Sequence, residues 1–409
     1  MLRWDRSIAL LTLLALSALF MGCVGTSQSS SSSGSSSTGQ TVPGYGEGTG
    51  ASGQTAPAKF LYANPEGLGG PYALGIQSGG LLMQQTSGSA YNNDPMTMAI
   101  DPSGSYLFQT AEGYDGGTLG GLFAYVIDRT TGSLSTASGS PYLTGQSLFA
   151  DVVDNAGKSL YVQGASGVYG FSIQSGGVLT PISGSPFADA GTPSSAGFPM
   201  PANLMAVDQT NRFLYVSTSA GISAYTMDPS TGGLTAISGS PFGSKVSSPW
   251  TLAVTPNNSF LYQLQSTNTG VMYGYSIDSS SGALTEISGS PFSVGNCGSS
   301  MTGIPGPANM TIASAGKFLY DNCGIYSLDA STGAVAQVST FGAGDWPVID
   351  PTGDFLWAIT DQQNCFQCDV GVTTYQVDPT SGNLTAVPNS CIVLTNTQVN
   401  DLDSLAITN

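Results

Sequence analysis

The chain has 409 residues, of which 40 % are hydrophobic and 8 % charged, with no His and a net charge of −17. So acidic a chain, with eight Lys+Arg, lacks the basic surface that nucleic acid or an anionic membrane requires. The absence of His removes Ser-His-Asp triads, His general bases and His-ligated metals from consideration.

Residues 1–22 have the form of an export signal. Arg3 and Arg6 flank Asp5, and an apolar run of 14 residues follows at 8–21. That run is too short to span a bilayer and has the length of a signal h-region. It ends Leu19-Phe20-Met21-Gly22-Cys23. A small residue before a Cys at this place resembles a bacterial lipobox, so Cys23 is expected to be lipidated and to begin the mature chain. Residues 23–58 are rich in Ser, Gly, Thr and Gln without apolar periodicity. Such a segment cannot repay its ordering entropy, and as a coil it reaches roughly 30 Å. The expectation is a tether to the cell envelope, on the periplasmic or cell-surface side, with the membrane contacted only through the anchor.

From residue 59 one unit recurs seven times. Its clearest part is a hairpin ending in Gly-Ser-Pro and an aromatic, at 125–142, 171–187, 225–242 and 275–292. Weaker copies start at Tyr72, Tyr326 and Tyr375, which sets a period of about 50 residues. A second part precedes each hairpin, as in Phe60-Leu61-Tyr62, Phe213-Leu214-Tyr215 and Phe355-Leu356-Trp357. A third part comes before that, as in Met98-Ala99-Ile100-Asp101. Each unit thus offers four short strands rich in β-branched and aromatic residues. Asp101-Pro102-Ser103-Gly104 and Asp350-Pro351-Thr352-Gly353 suit type I turns closed by Gly. Ser-Thr-Gly-Gly at 230–233 suits a hairpin loop with Gly at positive φ.

Four antiparallel strands per unit at this period predict an all-β, seven-bladed β-propeller over 59–409. The first unit lacks its innermost strand, and the last segment, 403–408, is such a strand with no successor. The C-terminal strand is therefore expected to complete the N-terminal blade and close the ring.

Antiparallel order puts the short, uniform turns on one side and the variable connections on the other. Glu66, Asp94, Glu112, Asp115, Asp189, Asp321, Asp345, Asp361, Asp369 and Asp401 map to the variable side, joined by one cation, Lys245. Cys297, Cys323, Cys365, Cys368 and Cys391 map there too. An exported protein permits disulfides. Cys297–Cys323 is one expected bridge; Cys391 pairs with Cys365 or Cys368, or those two pair with each other. Asp361, Asn364 and Asp369 in one loop, with Glu66 and Glu112 on neighbouring blades, are candidate calcium ligands. Glu66 and Glu112 are also candidate carboxylate bases.

The blade sequence at 213–242, repeated in seven variants, resembles the seven-bladed propeller lactonase family, which includes 6-phosphogluconolactonase-type proteins. The resemblance implies the fold and a lactone-hydrolysing relative. The family's enzymes are similar in using His, Glu and Arg in a central cleft. This sequence has no His, and Arg129 and Arg212 fall in turns on the uniform side. The expected function is therefore a non-catalytic binding module that takes a protein, a glycan or a small neutral or cationic ligand on its acidic side. The alternative is a lactone hydrolase with a carboxylate-based site. A monomer is expected.

Overall fold

The computed structural model describes residues 59–65, 71–86, 94–112, 120–189, 191, 203–243, 251–265, 270–294, 309–322, 324–340, 345–361, 370–393 and 402–408. They form seven antiparallel sheets of four or five strands. The fourth blade shows the plan: Met205–Val207 innermost, then Phe213–Thr218, Gly221–Met227 and Leu234–Ala236 outermost. The other inner strands are Asp94–Ile100, Leu148–Val153, Leu252–Val254, Met310–Ile312, Asp345–Ile349 and Leu402–Ile407. Each inner strand touches the next, and the last touches the first, so the ring is closed. Two 3-10 turns, Ser78–Gly80 and Ser175–Gly177, are the helical elements among the described residues.

Closure runs through the chain end. Leu402–Ile407 pairs antiparallel with Phe60–Pro65, with Leu405 opposite Ala63 and Ile407 opposite Leu61. Thr408 Oγ1 accepts from Phe60 N at 2.8 Å. Trp346 Nε1 of the seventh blade donates to Leu405 O at 3.1 Å. The first blade thus gains its inner strand from a segment more than 300 residues away, as the sequence pattern requires.

The core lies between blades. One cluster joins Phe149, Tyr161 and Val168 of the third blade to Met205, Leu214 and Tyr225 of the fourth. Another joins Leu61 and Leu405 of the first blade to Trp346, Trp357 and Val372 of the seventh. The Leu of each Phe-Leu-Tyr-type strand, such as Leu61, Leu214 and Leu356, is fully buried. Burying one such side chain stabilises by about 2 kcal/mol.

The repeated motif is a clamp between neighbours on the turn side. Tyr62 Oη donates to Gly132 O of the next blade at 2.8 Å. Tyr161, Tyr215, Tyr262 and Tyr320 do the same to Gly232, Gly282, Gly333 and Gly382. In the seventh blade Trp357 Nε1 replaces the phenol and donates to Gly80 O at 3.0 Å, across the seam of the ring. In five of these six junctions a Phe two residues earlier presses on the same Gly; before Tyr161 the residue is Ser159. A Cβ on Gly282 would lie 2.5 Å from the Phe213 ring. Only Gly fits there.

The Gly-Ser-Pro-aromatic ending is also structural. Ser140, Ser185, Ser240 and Ser290 accept through Oγ from backbone N–H groups of the third strand. The Ser-Pro bonds at 140–141, 185–186, 240–241 and 290–291 are cis. The following aromatic returns to pair with that strand, as Tyr142 with Leu122 and Phe242 with Ile222. Its ring packs on an inter-blade cluster.

Candidate functional site

The turn side gathers the described cations. Lys59 pairs with Asp350 at 3.9 Å across the seam between the first and seventh blades. Arg212 stacks on Phe213, with Cζ 4.7 Å from the ring centroid, and donates to Ser280 O. Arg129 is exposed in the turn begun by Asp128. The acidic residues of this side staple turns. Asp208 Oδ1 accepts from Arg212 N and Phe213 N. Backbone N–H donors hold exposed Asp128, Asp228 and Asp378 below the usual carboxylate range.

Towards the loop side, the inner and second strands carry polar side chains that differ from blade to blade. Thr97 Oγ1 of the second blade donates to Asp151 Oδ1 of the third at 2.6 Å and contacts Thr110 Oγ1 at 2.9 Å. Asp151 Oδ2 has no hydrogen-bond partner among the described residues. Burial pushes its pKa up to about 7, against the pull of the Thr97 hydrogen bond. Asn64 Nδ2 donates to Ser404 Oγ, and Asn64 Oδ1 accepts from Gln109 Nε2 at 2.6 Å. Asn203 of the fourth blade donates to Asn309 Oδ1 of the sixth at 2.9 Å.

A further group spans three blades. Gln163 Nε2 of the third blade donates to Ser217 O of the fourth at 3.1 Å. Gln263 Nε2 of the fifth donates to Ser217 Oγ at 2.7 Å. Asp189, in the connection leaving the third blade, accepts from Gly191 N at 3.2 Å. Burial raises the Asp189 pKa, while the Gly191 N–H and the Gln163 side chain lower it. Gln163 Oε1, Gln263 Oε1 and Asp189 Oδ2 are buried without a hydrogen-bond partner among the described residues.

The expected site residues fare unevenly. Glu112 ends the second strand of its blade, directly opposite Asp94. Asp361 ends the corresponding strand of the seventh blade. Glu66, Asp115, Asp369, Asp401 and Lys245 lie outside the described residues. So do Cys23, Cys297, Cys323, Cys365 and Cys368, while Cys391 is described and partly buried. Asp321, expected on an acidic surface, is instead fully buried and accepts from Gly324 N at 2.8 Å. No group of three or more Cys, Asp or Glu suited to a metal occurs among the described residues. No described helix is long and apolar enough to cross a membrane.

Asp151, Gln163 and Gln263 escaped the sequence reading, yet a signal exists. The inner-strand column of Met98, Asp151, Met205, Leu252 and Met310 is apolar but for one carboxylate. An ionisable group in an otherwise apolar column marks a site more sharply than acids counted in loops.

Comparison with known proteins bears on the fold. Residues 213–297 match the family described as Lactonase, 7-bladed beta-propeller. The chain is a lactonase-like seven-bladed propeller. A Bacteroides fragilis protein assigned as a 6-phosphogluconolactonase superimposes with TM-score 0.65 at 16 % identity, covering 88 % of this chain and 100 % of that one. A periplasmic gluconolactonase of Pseudomonas aeruginosa gives TM-score 0.61 at 15 % identity, covering 86 % and 99 %. No curated protein matches the sequence significantly. At these identities the likeness is one of fold, and fold alone does not carry an activity.

Proposed function

We propose that this lactonase-like propeller is the ligand-binding part of an exported, lipid-anchored envelope protein, and that it binds rather than catalyses. The observation that carries the reading is the separation of charge. Every described Lys and Arg stands in or beside the short turns, where Arg212 and Lys59 tie neighbouring blades together. The described polar groups towards the loop side are amides, hydroxyls and carboxylates. With no His in the chain and no described Arg among those groups, neither general-base catalysis by imidazole nor a clamp on a phosphorylated lactone has its side chains. Such a surface suits a protein, a glycan or a small neutral or cationic ligand. The anchor rests on Cys23 and its preceding apolar run. Metabolic lipid labelling tests it: label is expected on the unsubstituted protein and absent from Cys23→Ser.

A second reading has one observation in its favour. Asp94 and Glu112 occupy paired positions on adjacent strands at their loop-side ends. An Asp and a Glu in register on adjacent strands are residue types that can divide acid and base roles. On this reading the protein hydrolyses unphosphorylated lactones, and Glu112→Gln or Glu66→Gln abolishes turnover. Turnover that is absent from the unsubstituted protein removes it.

A further inference from the structure

The seam between the second and third blades holds a buried carboxyl group in an apolar setting. Asp151 lies on the inner strand of the third blade and is 5 % exposed. Val153, two residues on, packs with Phe108, Leu122, Leu148 and Val162, the apolar cluster that joins the two blades. Thr97 and Thr110 of the second blade are fully buried beside the carboxyl group. The three side chains form a one-way relay. Thr97 Oγ1 has one proton and gives it to Asp151 Oδ1. Thr110 Oγ1 is then the donor in its 2.9 Å contact with Thr97 Oγ1, and it accepts from Thr97 N at 3.2 Å. Both hydroxyl protons point towards the carboxyl group, so Oδ1 is an acceptor. A proton bound by Asp151 therefore belongs on Oδ2, which has no hydrogen-bond partner among the described residues.

The neutral and charged forms differ sharply in cost. The neutral form leaves one polar atom unmet, whereas the carboxylate leaves a buried charge with a single side-chain donor. No cation offsets it. The strands packed against Leu148–Val153 are Asp94–Ile100, Tyr106–Glu112, Ser159–Gly164 and Met205–Val207, and they carry no Lys or Arg. Their acids, Asp94 and Glu112, stand at the loop-side ends and add no positive charge. Tyr106 accepts from Gly176 N and Tyr161 donates to Gly232 O, so both phenols are engaged elsewhere. Asp101, Asp154 and Asp208, just beyond the strand ends, hold their own turns. Burial accordingly pushes the Asp151 pKa up to about 7, against the Thr97 and Ala99 hydrogen bonds. We propose that Asp151, Thr97 and Thr110 form a proton-operated latch between the second and third blades, closed while the carboxyl group is neutral and loosened at its inner strands when the proton leaves.

Loosening is how the charge reaches water. In the opened seam Asp151 regains the ordinary carboxylate value of 3.8, so the closed seam binds the proton more tightly. The closed state is favoured most below the ordinary value, and that advantage is lost as pH rises towards about 7. Over this window the opening equilibrium grows about tenfold per pH unit, and beyond it levels off. The equivalent residues Met98, Met205, Leu252, Met310 and Leu405 are apolar, so the effect is local to this seam. The latch is independent of what the propeller binds and of whether it hydrolyses anything.

Hydrogen exchange read by mass spectrometry on the purified protein, corrected for the intrinsic pH dependence of exchange, tests it. Protection of 94–100 and 148–153 should fall about tenfold per pH unit between about pH 4 and about pH 7 and then level off. By then these strands should exchange sooner than 310–312 and 318–321 of the sixth blade. Asp151→Asn should abolish the fall. Thr97→Val removes a hydrogen bond that favours the charged form, and should carry the fall to higher pH. Should Thr97→Val not fold, infrared spectra give a second reading. The carbonyl band of a neutral carboxyl group is expected at about pH 5.5, diminished by about pH 8.5 and smaller in Asp151→Asn. Protection that does not change with pH, a fall that survives Asp151→Asn, or seam strands that stay as protected as those of the sixth blade overturns the proposal. So does the absence of that band.

Discussion

On the turn side six of the seven blades repeat one solution, and the second, with Phe108 in place of the phenol, keeps only its packing. A Phe or its equivalent presses on a neighbour's Gly, and a phenol or indole donates to that Gly's carbonyl. Nearer the loops, the same strands carry Thr97 and Asp151 in one place, Asn64 and Gln109 in another, and Gln163, Ser217 and Gln263 in a third. The first region has one task, to join blade to blade, and one residue set performs it. The second leaves several buried acceptors unpaired among the described residues, whereas most buried polar groups find a partner. Repetition marks what folds this chain; departure from repetition marks where a binding role is proposed.

The comparison breaks first at the seam. Removing residues 402–409 strips the first blade of its inner strand and uncovers Leu61 and Trp346. Loss of the cooperative unfolding transition is expected in circular dichroism melts, and a melt unchanged by the deletion would show that closure is dispensable. Gly282→Val is next. It places a branched side chain at φ +73°, with Cβ 2.5 Å from the Phe213 ring, and is expected to cost about 3–5 kcal/mol by urea unfolding. Gly176 has φ +77° and open space around it. Gly176→Ala should cost only the backbone strain, about 1 kcal/mol. Equal losses at the two positions would refute the clamp.

Asp151 separates the regions by pH. Its folded pKa of about 7 lies above the ordinary carboxylate value of 3.8. The folded state therefore holds the proton more tightly than the unfolded chain. The associated stability is present below the ordinary value and is lost as pH rises towards and past 7. Asp151→Asn should raise stability at pH 8 by on the order of 2 kcal/mol and leave it unchanged near pH 4. A gain of equal size at both pH values would show that the carboxylate is not the cause. The smallest effect is Tyr215→Phe, which leaves Gly282 O unpaired and should cost about 1 kcal/mol.

The architecture was legible because the same physics operates in every blade. Phe-Leu-Tyr, the Gly of the hairpin turn and Gly-Ser-Pro-aromatic recur since each satisfies an identical contact. The unpaired segment 403–408 announced closure because a ring admits no spare strand. The polar groups towards the loop side were not legible in the same way. Asp321 looks like a loop acid in sequence but ends a strand and is buried. Gln163 and Gln263 occupy neighbouring rather than equivalent positions along their strands, and only the stacking of three blades brings both amides to Ser217. Contacts set by blade geometry leave no spacing to read along the chain.

The most direct test of the functional account is the rate at which the purified protein hydrolyses a panel of neutral and phosphorylated lactones, with and without calcium. The account predicts rates equal to the buffer blank for every lactone, with or without calcium. Hydrolysis well above the blank that is lost in Glu112→Gln or Glu66→Gln would contradict it and establish a His-free lactonase.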